Sequence, residues 1–214
     1  MSTWLAFDFF AGGGLDRIKE HGAAFRARQV GRMELVGCTE ANAALIETST
    51  GALLSALEAH VVEHHFLFGT RPSLAEFAIF GQLSQLATDP SAQDMMRPDY
   101  PYTYRWLAHL DDLSGLEGES AESKSGTSTS VSSILKIVGA VYLPFLAANA
   151  RALADGASRF SIEAFGLRYE QAPFKYQAKC LSELKRAYSN LPREAVAGLT
   201  PLLDATACLR HLTE

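Results

Sequence analysis

The stretch Phe66-Leu67-Phe68-Gly69-Thr70-Arg71-Pro72-Ser73-Leu74-Ala75-Glu76-Phe77 decides how this 214-residue chain folds. Ser73 followed three residues later by Glu76 is the S-x-x-E pattern, in which each side chain satisfies the other's free backbone N–H at a helix start. A helix therefore opens at Ser73 after a short turn over 66–72. From Phe77 to Ala87 it carries no formal charge, and Phe77, Ile79, Phe80, Leu83 and Leu86 surround it almost completely. An apolar helix of this kind belongs in the middle of a bundle. Gly81 then permits a close helix crossing, and Gln82 and Gln85 need buried partners.

Working outward, Leu45, Ile46, Leu53, Leu54, Leu57 and Val61 recur at helical spacing between Thr39 and His64, with Glu40, Glu47 and Glu58 left for water. Leu15 to Val30 reads as a helix with Leu15, Ile18, Ala23 and Phe25 on its apolar side. Asp89 and Pro90 end the central helix. A short helix over 92–97 follows, and Pro101 begins another with Trp106, Leu107, Leu110 and Leu113 facing inward. Gly115 to Ser130 is rich in Gly, Ser, Glu and Thr and reads as an exposed, mobile linker. Beyond it comes a long helix, Val131 to Ala154, kinked by Pro144, which lacks a backbone donor. Phe160, Ile162 and Ala164 alternate with Ser161, Glu163 and Phe165, and Gly166 precedes Leu167 and Tyr169, the pattern of a small hairpin. Pro173 fits the first turn of a helix lined by Phe174, Gln177, Leu181, Leu184, Tyr188 and Leu191. Thr200 and Pro201 read as the cap and first residue of a terminal helix ending near Leu212.

Composition bounds the function classes. Nearly half the residues are apolar and a fifth charged, an ordinary globular balance. A net charge of −5 gives no global attraction to phosphate backbones or anionic lipid, so neither nucleic acid nor membrane is an expected partner. The run Arg26, Arg28, Arg32 reads as a solvated helix face. Cys38, Cys180 and Cys208 are odd in number and lack C-x-x-C spacing, so they read as buried small hydrophobes in a reducing compartment, the cytoplasm. Residues 1–14 form an apolar leader with no basic start. Val131 to Ala150 is long and apolar enough to span a bilayer but carries Lys136, Ser132, Ser133, Pro144 and Asn149, and reads as a buried helix.

The stretch from Phe66 to Phe77, continued by Phe80-Gly81-Gln82-Leu83, Asp89-Pro90 and Tyr104-Arg105-Trp106, resembles the C-terminal helical domain of glutathione transferases, over about Gly31 to Leu113. In that family a G-x-x-P-S loop leads into the capping box of the core helix. Aspartate is usual where this chain has Glu76, whose longer side chain still closes the box. The segment Tyr142-Leu143-Pro144-Phe145-Leu146 through Gln171-Ala172-Pro173-Phe174-Lys175-Tyr176-Gln177-Ala178-Lys179-Cys180-Leu181 looks like the C-terminal extension of a long bacterial subgroup of transferase-like proteins. The resemblance implies a thioredoxin-like half that holds glutathione through an activating Tyr, Ser or Cys and a cis-proline loop. About thirty residues precede the helical region, too few for such a half, and the first proline is Pro72.

No catalytic constellation stands out among the residues themselves. His60-Val61-Val62-Glu63-His64 has the H-x-x-E-H spacing of one metalloprotease class, but it lies at a helix end without a third ligand and reads as a solvated terminus; no metal site is expected. Ser49 and the linker serines lack a G-x-S-x-G elbow or a nearby histidine. Gly12, Gly13 and Gly14 lack the lysine of a P-loop and read as a helix-terminating leader. Tyr102, Tyr104 and Trp106 are candidates to line an apolar small-molecule groove, with core packing as the alternative.

These readings define an all-α bundle of the glutathione-transferase C-terminal type with a helical extension and a small β-hairpin. Its parts are an apolar leader (1–14), the helical domain (15–114), a linker (115–130) and the extension (131–214). The expected function is a transferase-like ligand-binding or protein-interaction module, a homodimer or the partner of a thioredoxin-like domain. The alternative is the C-terminal part of an active transferase whose glutathione-binding half is supplied upstream or by another chain. The only structural site assigned is the capping box, Ser73 and Glu76; no cofactor is expected without that half. Calorimetric titration of this chain with millimolar glutathione is accordingly expected to show no saturable site, and a standard electrophile no conjugation above the uncatalysed rate.

Overall fold

The computed structural model describes residues 2–121 and 128–213. Helix α1 (Ser2–Phe10) turns through the three glycines into α2 (Leu15–Val30). Two single 3-10 turns, Glu34–Val36 and Glu40–Asn42, lead into α3 (Ala43–Val61), followed by α4 (Leu74–Thr88), α5 (Pro90–Asp99) and α6 (Pro101–Leu110). The second half contains α7 (Thr129–Ile137), a π-helical turn (Val138–Tyr142) and α8 (Leu143–Ala154) in direct succession. A hairpin of β1 (Phe160–Ala164) and β2 (Leu167–Gln171) precedes α9 (Lys175–Ser189), α10 (Arg193–Ala205) and α11 (Leu209–Thr213). The fold is all-α with one two-stranded antiparallel sheet, in which Phe160 faces Gln171 and Ala164 faces Leu167.

Apolar burial divides into three clusters. Leu54, Leu57, Phe66, Leu83, Met96, Trp106, Leu107 and Leu110 form the first, between α3, α4, α5 and α6. Leu45, Ala148, Ala152, Phe160, Ile162, Ala164 and Tyr169 form the second, where the hairpin lies on α8 and the start of α3. Leu143, Leu146, Leu181 and Cys208 form the third, between α8, α9 and α11. The hairpin's alternation is the physical reason it seats there: Phe160, Ile162 and Ala164 are buried and Ser161 and Glu163 exposed, as the two-residue period of a strand requires.

The capping box at the start of α4 is present. The Ser73 hydroxyl accepts from the Ala75 N–H at 3.1 Å, and Glu76 accepts the Ser73 N–H at 2.7 Å and the Ser73 O–H at 2.6 Å. The other Glu76 oxygen accepts the Leu67 N–H at 2.5 Å, so the fully buried carboxyl group also clamps the preceding loop. That loop is held from two further directions. The Trp106 indole donates to the His65 carbonyl at 2.8 Å, and residues 119–121 run beside it, with Thr70 N–H donating to Glu119 O at 2.9 Å and Ala121 N–H to Phe68 O at 2.7 Å. The first part of the expected mobile linker is thus hydrogen-bonded to the body; 122–127 lie outside the described residues.

Several expectations are corrected. Helix α4 is not central: Leu74 is 88 % and Phe77 52 % exposed, Gln82 and Gln85 face solvent, and open space surrounds the position of a Cβ on Gly81. Its apolar residues wrap around the helix, but only one side meets α5 and α6. Pro144 interrupts the α-helical ladder without ending the helix. Its missing N–H is accommodated by the π turn just before it, where the Leu143 N–H reaches back five residues to Val138 O, a wider ring characteristic of such bulges. Gly139 in this turn lies against the Thr206 carbonyl, where a side chain would collide. Pro173 lies before the N-cap of α9 rather than in its first turn. The helix start is set instead by buried Asn149, which donates to Phe174 O at 3.0 Å and accepts its N–H at 2.7 Å. Thr200 caps nothing: its hydroxyl donates to Val196 O at 2.7 Å and Pro201 sits inside α10, exposed. In α2 the face turned to α1 is Ile18 and Gly22, not Leu15 and Ala23, which are exposed.

Removing the Ser73 hydroxyl takes away a cap and one of three donors to the buried Glu76. Ser73→Ala is expected to lower unfolding stability by about 1–3 kcal/mol. Urea melts read by circular dichroism check this.

Candidate functional site

The cleft in this region is formed by the last two turns of α3 and the junction of α5 and α6. Ser55, Glu58, Ala59, Val62, Glu63, Asp99, Tyr100 and Tyr102 line an open depression of about 530 Å³. Its geometry follows from a capping problem. Helix α6 starts at Pro101, and its N-cap, Tyr100, offers no side-chain acceptor, so the first-turn N–H groups need one from elsewhere. Glu58 of α3 supplies it: one carboxyl oxygen accepts the Tyr102 N–H at 3.0 Å and the other the Thr103 N–H at 2.7 Å. The periodicity of α3 assigns Glu58 to water; the signal that locates its partner is the uncapped Tyr100-Pro101 start.

The three groove candidates are not brought together. Tyr102 lines the cleft and is exposed, Tyr104 packs half-buried against the first cluster, and Trp106 is buried within it. The Trp106 indole is held inside, where it reaches His65 O, away from the cleft that Tyr102 lines. The cleft has two tyrosines and three acidic side chains, Glu58, Glu63 and Asp99, a lining that disfavours an anionic ligand. Ser55 has no histidine beside it within the lining, and no nucleophile–base pair is assembled there.

The H-x-x-E-H string is divided by its surroundings. His60 is buried, not solvated; its Nδ1 lies 2.8 Å from the Ser130 hydroxyl, and its Nε2 has no hydrogen-bond partner among the described residues. His64 is exposed, its ring centroid 5.2 Å from that of His60, and its Nε2 is 4.0 Å from Glu63. Among the described residues no group of three or more His, Cys, Asp or Glu side chains can hold a metal ion. Burial pushes the His60 imidazole below its ordinary value of 6.5. His64 adds to the depression, and the Phe66 backbone and Glu76 oppose it. Of the cysteines, Cys208 is buried and Cys180 half-buried, but Cys38 is exposed, against expectation, because the chain around it is a surface turn. Gly12 and Gly14 have positive φ and make the turn between α1 and α2.

The class that the fold defines is a helical domain, and among the described residues the cleft brings together no nucleophile–base pair. Residues 40–109, spanning α3 to α6, match the family model of the glutathione S-transferase C-terminal domain. Comparison with curated proteins and with solved structures finds no match.

A buried histidine with a depressed pKa destabilises the fold on acidification, since the unfolded chain takes up the proton first. Stability is expected to fall as pH drops below about 6.5. With six histidines in the chain, the diagnostic is the difference: His60→Gln is expected to lose less stability than the wild type between pH 7.5 and pH 5, measured by urea midpoints.

Proposed function

We propose that this chain is a non-catalytic interaction module built on a glutathione S-transferase C-terminal domain, and that a second copy of the chain docks on the outer face of α4. The observation that carries the reading is that face itself. Leu74, Phe77, Ala78, Gly81, Gln82 and Gln85 are exposed, and the only charged residue of α4, Glu76, is turned inward. An uncharged face meets its own copy without like-charge repulsion, as an isologous interface requires. The space over Gly81 is open, so an antiparallel partner helix can lay its Phe77 there. Free Cys38, Cys180 and Cys208 suit the reducing cytoplasm.

A second reading is favoured by the family match, which is to the C-terminal domain of a glutathione-dependent enzyme. In it, the same face seats a thioredoxin-like half carrying glutathione, and an apolar small molecule is the co-substrate. Sedimentation velocity separates the two. The homodimer reading expects a concentration-dependent dimer that Phe77→Asp converts to monomer with unchanged helicity. A wild type that stays monomeric at all concentrations, yet conjugates glutathione once such a half is added, establishes the second reading instead.

A further inference from the structure

The α1–α2 hairpin is built inside out for a soluble element. The two helices meet through small residues: a Cβ on Gly22 would lie 3.5 Å from Ser2 O and Thr3 Cα and 3.7 Å from the Ala6 Cβ, and Ala6, Ile18 and Gly22 are its buried residues. The large side chains are left outside, with Trp4 57 %, Phe7 56 % and Phe9 79 % exposed. The α1–α2 contact is the main packing of both helices among the described residues, so α1 does not act as a lid over α4. Charge is segregated onto the same unit. Over the hairpin as a whole, exposed Arg17, Lys19, Arg26, Arg28 and Arg32 outnumber Asp8, Asp16 and Glu20, in a chain of overall charge −5. The Arg17 guanidinium lies 5.4 Å over the Phe10 ring, so a basic group of α2 borders an aromatic ring of α1.

The geometry points to the α1–α2 hairpin as a docking element for an anionic membrane surface. Exposed Trp and Phe on a helix lying in the interface plane, bordered by Arg and Lys, is the arrangement that inserts aromatic rings at headgroup level while the cations meet lipid phosphates. A second copy fits this surface less well, because pairing two hairpins sets the basic excess of one against that of the other. A bilayer rich in acidic lipid complements it, and each cation near such a surface raises partitioning about fivefold.

The test uses the full chain with unilamellar vesicles of phosphatidylcholine alone or with phosphatidylglycerol. The two tryptophans separate cleanly, Trp4 exposed and Trp106 buried, so binding is read as a blue shift of Trp4 emission alongside vesicle flotation. The expected result is saturable, salt-sensitive binding to phosphatidylglycerol vesicles and little to phosphatidylcholine. The shift is lost in Trp4→Phe, and partitioning falls about tenfold or more in Arg26→Gln/Arg28→Gln and in Phe7→Asp/Phe9→Asp, with helicity unchanged. Equal binding to both vesicles, no binding, or a lipid-independent dimer that Phe7→Asp/Phe9→Asp dissociates overturns the assignment.

Discussion

The first half of the molecule depends on how the Glu76 carboxyl group is solvated by protein. Fully buried, it receives the backbone N–H groups of Leu67 and Ser73 and the Ser73 hydroxyl, and a buried acidic group left short of donors is strongly destabilising. The loop must therefore take one path. That path seats Phe66 in the first cluster, presents the His65 carbonyl to the Trp106 indole from α6, and lays the 68–70 backbone beside 119–121. A helix cap, a core side chain and a backbone pairing thus share one constraint.

In the second half the corresponding role belongs to the continuous run α7, π turn and α8. Ile134 of α7 packs on the first cluster, Val141, Phe145 and Ala148 on the second, and Leu143 and Leu146 on the third. The His60–Ser130 contact joins the start of this run to the end of α3. Asn42 ties the N-terminal side to the hairpin by acting as a short strand: its Nδ2 donates to Gly37 O and Glu170 O, and its Oδ1 accepts the Glu170 N–H. The run is also the one described helix long and apolar enough to cross a membrane; here it packs against α3, α9 and β1.

What could be read from sequence was local. The capping box, the hairpin alternation and the apolar spacing of α3 are short-range patterns, and the structure displays each of them. What could not be read was which side of an element meets which neighbour. Helix α4 is apolar all round, so its pattern holds no information on the side left bare. Glu58, Asn149 and His60 face partners 44, 25 and 70 residues away, and no window of local sequence contains such pairs. An average over the chain likewise hides the local excess of Arg and Lys over Asp and Glu on α2. Aromatic content likewise says nothing about which ring the core claims: of Tyr102, Tyr104 and Trp106, the buried one is Trp106.

The arrangement of apolar burial as three clusters in series, rather than one, bears on how such a chain can diversify. The first and third clusters have no side chain in common, and changes at sites without shared partners combine nearly independently. Apart from Leu45, the second and third clusters draw on residues beyond Leu110, whereas the first lies almost wholly within the segment that carries the family signature. Inheritance can hold that first cluster fixed while the hairpin, α9, α10 and α11 drift or are exchanged. Helix α8 is the wall that the second and third clusters share.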